Sequence, residues 1–123
     1  MKFSATITSW GEEALGLLGN SDTCFIVIFN DNAPQELKEI SVLHTKSPMY
    51  EDPEVGDTLI ICDKVFDITA VGYEAKHTLK TLGHCTIHFT GGDEPLLPGC
   101  IMVKGDAPLV ATDIVEGGTI EIY

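Results

Sequence analysis

The side chains in this sequence best placed to do chemistry are its four histidines, His44, His77, His84 and His88. His44 ends the apolar run in "KEISVLHTKSP" and is followed at once by residues typical of a turn. His84 directly follows a second helix-like run, "YEAKHTLKTLG". His77 lies inside that run between two lysines, a position typical of a solvated helix face. The parallel between His44 and His84 makes these two residues the candidate catalytic pair.

A single imidazole can act as a nucleophile. With an unperturbed pKa of about 6.5 it is largely neutral at pH 7, and it can attack phosphorus to form a labile phosphoramidate. This requires one exposed ring nitrogen, a hydrogen bond that fixes the other, and donors for the phosphoryl charge. At this helix-to-turn junction we expect His44 to have a free nitrogen, with Thr45, Ser47 and His84 as donors. Four of the seven lysines lie near the two histidines in sequence: Lys38, Lys46, Lys76 and Lys80.

A metal site is the obvious rival interpretation of these histidines. In "HCTIHF" a period of two places His84 and His88 on one face of a strand and the core-like Cys85, Ile87 and Phe89 on the other. Histidines four apart chelate a metal on a helix, but on a strand their rings lie roughly 13 Å apart. We therefore expect no metal and no cofactor, and we expect His88 to lie on a solvated face. A His-based metal-binding domain is the weaker alternative.

Patterns of other enzyme classes are missing from the sequence. It contains no GxSxG elbow, no GxxxxGK[ST] loop and no GxGxxG after a strand. The cysteines form no CxxC and lie in apolar runs, which predicts free, buried thiols in a reducing compartment. They are Cys24, Cys62, Cys85 and Cys100.

Charge and length restrict the function further. The net charge is −12, all seven bases are lysine, and there is no arginine. This composition argues against nucleic acid binding and favours a basic protein partner. No apolar run approaches the roughly 20 residues of a membrane span, and the N-terminus lacks the apolar core of a signal peptide. We expect a soluble, cytoplasmic protein with one domain over residues 1–123.

Strand patterns dominate the chain. Alternation in "FSATITSW" and the short apolar or alternating runs "TCFIVIFN", "DTLIICD", "KVFDITAVG", "CTIHFTG", "GCIMVKG" and "GTIEIY" predict about seven strands. Glycines between strands favour an all-β barrel or sandwich. Two short helices are predicted, one over "DNAPQELKEISVL" that ends at His44, and one over Tyr73 to Gly83.

Three segments together, "KEISVLHTKSP", "ITAVGYEAKHTLKTLGHCTIHF" and "LLPGCIMVKG", resemble one family over nearly the whole chain. It is the glucitol/sorbitol-specific enzyme IIA component of the bacterial phosphoenolpyruvate-dependent sugar phosphotransferase system. The resemblance implies a mainly β fold, a closed barrel of about six to seven strands with two short helices. It also implies that the protein is a phosphotransferase component.

The resemblance assigns roles to residues and partners. The family's IIA domain takes a phosphoryl group from the phosphocarrier HPr and passes it to a cysteine of IIB, while the membrane component IIC imports the hexitol. The phosphoacceptor falls on His44, and the histidine of "LGH" falls on His84, to which we assign a supporting role in the transition state. Other members carry a further histidine just after the acceptor, where this chain has Thr45, Lys46 and Ser47.

The alternative to a phosphoryl carrier is a non-enzymatic β-barrel interaction module, in which His44 is only a surface residue. A phosphorylation assay separates the two. The sugar rests wholly on the resemblance, because a IIA component need not touch it.

Overall fold

The structure is a computed structural model and describes residues 1–16, 18 and 24–123. Eight strands run through these residues: β1 (Phe3–Trp10), β2 (Phe25–Asn30), β3 (Ser41–His44), β4 (Thr58–Ile61), β5 (Lys64–Val71), β6 (Cys85–His88), β7 (Cys100–Lys104) and β8 (Thr119–Ile122). The helices are α1 (Gln35–Lys38), α2 (Tyr73–Leu82) and a 3-10 turn (Ala111–Asp113).

The strands close into one barrel in the order β1-β3-β2-β6-β7-β5-β4-β8. Neighbouring strands are antiparallel except for β2 with β3 and β6 with β7, which are parallel. A tight hairpin cannot join two parallel strands, so a longer connection links the two strands of each pair, residues 31–40 between β2 and β3 and residues 89–99 between β6 and β7. The connection from β2 to β3 carries α1. The expected mainly β fold, a closed barrel with two short helices, is confirmed, with eight strands in place of six to seven.

The additional strand is β3, which the sequence pattern assigned to a helix. The first helix is shorter than the predicted range 31–43, because α1 has only four residues and ends at Lys38, and residues 41–44 form a strand instead. All four residues of β3 are buried. Val42 belongs to the barrel core, while Leu43 packs on the other face against Phe29. A short strand buried on both faces shows no alternation, so its apolar run cannot be distinguished from a helical stripe.

Alternating residues of the other strands fill the barrel interior. Phe3, Ala5 and Ile7 of β1 point inward, with exposures of 2% or less, as the period of two predicts. In β6 the inward residues are Cys85 and Ile87. Each large apolar side chain buried in this way contributes roughly 1.5–3 kcal/mol to folding.

Helix α2 packs across the end of the barrel on a close backbone contact. The carbonyl of Pro98 accepts hydrogen bonds from the first turn, and it lies so near Gly72 that a Cβ there would overlap it. Ala75 and Leu79 are the buried residues of the helix. The predicted second helix is confirmed, with Gly83 at its end in the left-handed conformation (φ +64°).

The four cysteines are free thiols, as predicted. Cys24, Cys85 and Cys100 are buried, and Cys62 is partly buried. Burial raises the pKa of Cys85 to about 12. A thiol with this pKa carries almost no thiolate at neutral pH and is a poor nucleophile.

Strand β5 offers a matched test of the barrel interior. Ile68 is 1% exposed inside the barrel, whereas Val65 on the same strand is 56% exposed. We expect Ile68→Ala to lower the free energy of unfolding by about 2–5 kcal/mol through lost burial and a cavity, and Val65→Ala by less than about 1 kcal/mol. Urea unfolding followed by circular dichroism measures both. Equal losses would contradict the assigned inside and outside faces of β5.

Candidate functional site

His44 is the last residue of β3, a strand held between β1 and β2. Its register partners are Ile7 on β1 and Asn30 on β2. The amide of Asp31 donates to the His44 carbonyl at 2.8 Å. Because His44 lies two residues after the core residue Val42, its side chain points to the same, inner face of the barrel.

The His44 ring is fully buried, and both of its nitrogens meet backbone carbonyls. The ring is 0% exposed. Nδ1 lies 2.8 Å from the Thr45 carbonyl oxygen, and Nε2 lies 2.7 Å from the Gly83 carbonyl oxygen. Carbonyls only accept hydrogen bonds, and a neutral imidazole has one N–H. Backbone carbonyls therefore occupy both ring nitrogens, and the tautomer of the ring decides which contact is a donated hydrogen bond.

This arrangement corrects the local environment expected for His44. The expectation of a free ring nitrogen at an exposed helix-to-turn junction is wrong, because His44 belongs to a strand and its ring is fully buried. Phe3 lies edge-on to the ring, with centroids 5.8 Å apart and planes at 88°. The neighbour that holds Nε2 comes from the end of α2, a part of the chain that no local pattern links to His44.

Gly83 makes this approach possible. Its positive φ of +64° favours glycine, and a Cβ added there would overlap Asn30 Oδ1 and lie 2.7 Å from His44 Cε1. The amide of Gly83 donates to the Leu79 carbonyl at 3.1 Å, which ties the turn to α2. The Gly83 carbonyl therefore reaches the histidine ring only because this position has no side chain.

His84 follows in the same turn and has a different environment. It is partly exposed, and its Nδ1 lies 3.1 Å from the carbonyl oxygen of Ile28, so Nδ1 carries the hydrogen. Its ring packs on Phe29, with centroids 4.7 Å apart and planes at 33°. No hydrogen bond to Nε2 comes from the described residues. His84 thus has the fixed ring that the sequence pattern assigned to His44, and within the described residues its second nitrogen has no hydrogen-bond partner.

The other predicted donors are engaged in local structure. Thr45 Oγ1 accepts a hydrogen bond from the Thr6 amide at 3.0 Å and lies 3.3 Å from Ser47 Oγ. The two ion pairs found among the described residues are Lys2–Asp57 and Lys64–Asp113. Neither contains any of the four lysines that lie near the histidines in sequence.

The remaining histidines lie apart from this arrangement. His88 stacks on Phe25, with centroids 4.9 Å apart, and burial lowers its pKa. His77 is exposed on α2. Within residues 1–16, 18 and 24–123, no three His, Cys, Asp or Glu side chains converge as metal ligands.

Sequence reasoning selected His44 and His84, and the structure places the ring of His44 against the turn that carries His84. It missed the groups that contact the two rings. The missed groups are the Gly83 carbonyl, which holds His44, and Phe29, which packs on His84. The glycine immediately before His84 was the available signal, since a glycine at a helix end permits a close backbone approach as well as a stop.

The fold identifies the class of protein. A crystal structure titled PTS system IIA component, from Enterococcus faecalis V583, superposes with a TM-score of 0.74 and 25% sequence identity. The match covers 96% of this chain and 97% of that one. A closed barrel of this kind is therefore the fold of a phosphotransferase-system IIA component.

The sequence gives the particular family. The family model of the PTS system glucitol/sorbitol-specific IIA component matches residues 2–121, and the chain belongs to this family. Proteins named PTS system glucitol/sorbitol-specific EIIA component, from Escherichia coli (strain K12) and Shigella flexneri, are each 29% identical to it over 119 residues. The matches cover 97% of this chain and 92% of each relative. The family identified in the sequence is confirmed.

The family implies a phosphotransferase component that works with other proteins of the system. Among the helices of the described residues, none is long and apolar enough to cross a membrane.

The contact at Gly83 is testable with a matched glycine. Gly83→Ala adds a Cβ that overlaps Asn30 and crowds His44, in a left-handed conformation. Gly117→Ala adds one at φ +86° in open space. Both variants lose roughly 1–2 kcal/mol for the backbone conformation, and we expect Gly83→Ala to lose at least about 1 kcal/mol more. Chemical denaturation compares them. Similar losses of unfolding free energy in the two variants would contradict the close approach of position 83 to Asn30 and His44.

Proposed function

We propose that this protein is a phosphoryl carrier that accepts the group from HPr on His44 and passes it to a cysteine of the IIB component. The IIC component then imports the sugar, which the names of the relatives give as glucitol/sorbitol. We also propose that residues 1–123 form one IIA domain that acts in the cytoplasm, where such a relay operates. The observation that carries the proposal is the meeting of His44 with the Gly83–His84 turn in a chain of this family.

The hydrogen bonds favour Nε2 of His44 as the nucleophile. Nδ1 bonds to the carbonyl of Thr45, the next residue along the chain, so this contact moves with the ring's own strand. Nε2 bonds to Gly83, which belongs to the end of α2 and can separate from β3. With Nδ1–H held by Thr45, the lone pair of a neutral ring lies on Nε2.

Transfer requires the closed site to open. A lone pair on Nε2 faces the electron-rich Gly83 oxygen at 2.7 Å, and this oxygen blocks the approach of phosphorus. The Gly83 turn therefore moves away from the ring before transfer. The lone pair then forms a bond to phosphorus as the bond from phosphorus to HPr breaks, with that electron pair going to HPr. In the second transfer, a IIB thiolate displaces His44 in the same way.

His84 is suited to support the transferred group. Its Nδ1–H is fixed on the Ile28 carbonyl, so a proton added to the ring resides on Nε2. The protonated ring then donates from Nε2 to a phosphoryl oxygen and offsets its negative charge. In a chain with a net charge of −12, a local cation of this kind lowers the cost of bringing phosphate to the surface.

A second assignment exchanges the two histidines. His84 is partly exposed and already has one fixed nitrogen, whereas His44 is buried with both nitrogens bonded. In this second assignment His84 Nε2 accepts the phosphoryl group, and His44 remains buried behind the turn. The reaction and the partners are the same in both assignments.

Intact-mass analysis after incubation with phosphoenolpyruvate, enzyme I and HPr tests the acceptor. We expect an acid-labile gain of one phosphoryl group that His44→Ala abolishes and His88→Ala leaves intact. Because His44 is buried, the assay also includes His44→Gln, and thermal unfolding of both variants is measured. Loss of transfer is then not confused with loss of the fold. His84→Gln should remain phosphorylated but react at least about tenfold more slowly, through a lost charge-assisted hydrogen bond.

The outcomes separate the candidates. Phosphorylation that survives in folded His44→Gln and disappears in His84→Gln establishes the exchanged assignment. A wild-type chain that gains no phosphoryl group is an interaction module instead of a carrier. An unchanged rate in His84→Gln contradicts its supporting role.

A further inference from the structure

A groove with a volume of 620 Å³ lies on the outside of the barrel beside α1, and His44 is not among the residues that line it. The end of β1 and the turn after it form one wall, α1 and the residue after it form the other, and β3 contributes one residue. The lining side chains and backbone come from Ser9, Trp10, Gly11, Glu12, Glu13, Gln35, Lys38, Glu39 and Leu43. The mechanism proposed above uses none of these residues.

Backbone contacts fix the walls of the groove. The amide of Gly11 donates to the Ser41 carbonyl at 3.1 Å, and that of Glu13 donates to the Glu39 carbonyl at 3.0 Å. A Cβ on Gly11 would overlap the carbonyls of Lys38 and Glu39. The turn after β1 is therefore held directly against the end of α1, and the groove is a built feature of the fold.

The groove combines an aromatic side chain with carboxylates. Trp10 is the single tryptophan of the chain and is 39% exposed. Glu12, Glu13 and Glu39 are exposed and outnumber Lys38, the one base in the lining. Neither ion pair of the described residues involves these groups. An exposed indole face beside carboxylates suits a lysine ammonium or an arginine guanidinium, which gains a cation–π contact and charge pairing together.

We propose that this groove receives a lysine or arginine side chain of HPr during phosphoryl transfer. The inference rests on the proposed function, because it names the docking surface for the same reaction. A phosphorylated donor brings further negative charge to a chain of −12, so productive encounter requires basic side chains on the donor and a place for them here.

The groove is placed to serve the candidate site. Leu43 lines it and is followed directly by His44. A standard interface covers about 800 Å² on each partner, so a partner that docks at Leu43 also covers neighbouring residues of the surface. Exposed aromatic residues that become buried in such interfaces contribute much of the binding energy.

Trp10 itself reports occupancy, because no other tryptophan contributes to the emission. We expect a saturable change in its fluorescence when unphosphorylated HPr that lacks tryptophan is added. The same change should occur with His44→Gln, which docks without transfer. Wild-type chain that is phosphorylated by HPr with no change in Trp10 emission would overturn the inference.

Transfer kinetics provide the second test. We expect Trp10→Ala, and separately the triple variant Glu12→Gln/Glu13→Gln/Glu39→Gln, to raise the KM for HPr about tenfold with kcat unchanged. Trp10→Phe, which keeps an aromatic face, should lose less than Trp10→Ala. The control triple variant, Glu51→Gln/Glu94→Gln/Glu116→Gln, removes the same charge from exposed positions elsewhere and should leave KM near the wild-type value.

The matched variants distinguish this inference from the proposed function. If HPr phosphorylates the wild type while both triple variants change KM equally, the groove is not the docking site and the phosphoryl carrier stands. If the wild type gains no phosphoryl group, the proposed function itself fails.

Discussion

The hydrogen bond between His44 Nε2 and the Gly83 carbonyl joins two parts of the chain that are 39 residues apart, and the geometry of the candidate site depends on it. One partner is the last residue of β3, and the other is the turn that ends α2. The bond requires both the closure of the barrel around β3 and a residue without a side chain at position 83. A side chain at position 83 or a shift of β3 would separate the ring from the carbonyl.

This bond links the reactivity of the ring to its conformation. Both ring nitrogens of His44 face backbone carbonyl oxygens at 2.8 Å or less, so neither nitrogen is open to an incoming group in this conformation. The same turn carries His84, so a movement that releases one ring also moves the other. Binding of a partner that favours the open turn would expose both histidines in one step.

The ring of His44 and the groove beside α1 lie on different faces of β3. His44 follows Val42 onto the inner face, while Leu43 between them points outward and lines the groove beside α1. The period of two in a strand thus places the buried ring of His44 and the acidic groove lined by Leu43 on opposite sides of adjacent residues. The acidic surface, which favours a basic partner, need not approach the phosphoryl group closely.

The sequence by itself determined the mainly β class, the second helix, the inward residues of β1 and β6, and the choice of His44 and His84. These depend on local patterns, such as alternation, a helix-ending glycine and residue type, or on motifs shared with a family. Only the tertiary structure decided that residues 41–44 form a strand, that the ring of His44 is buried, and that a carbonyl from α2 meets it. The physical reason is range: β3 gains its backbone hydrogen bonds from β1 and β2, and His44 gains its second acceptor from a distant turn. Neither the neighbouring strands nor the distant turn can be inferred from the short apolar run that precedes the histidine.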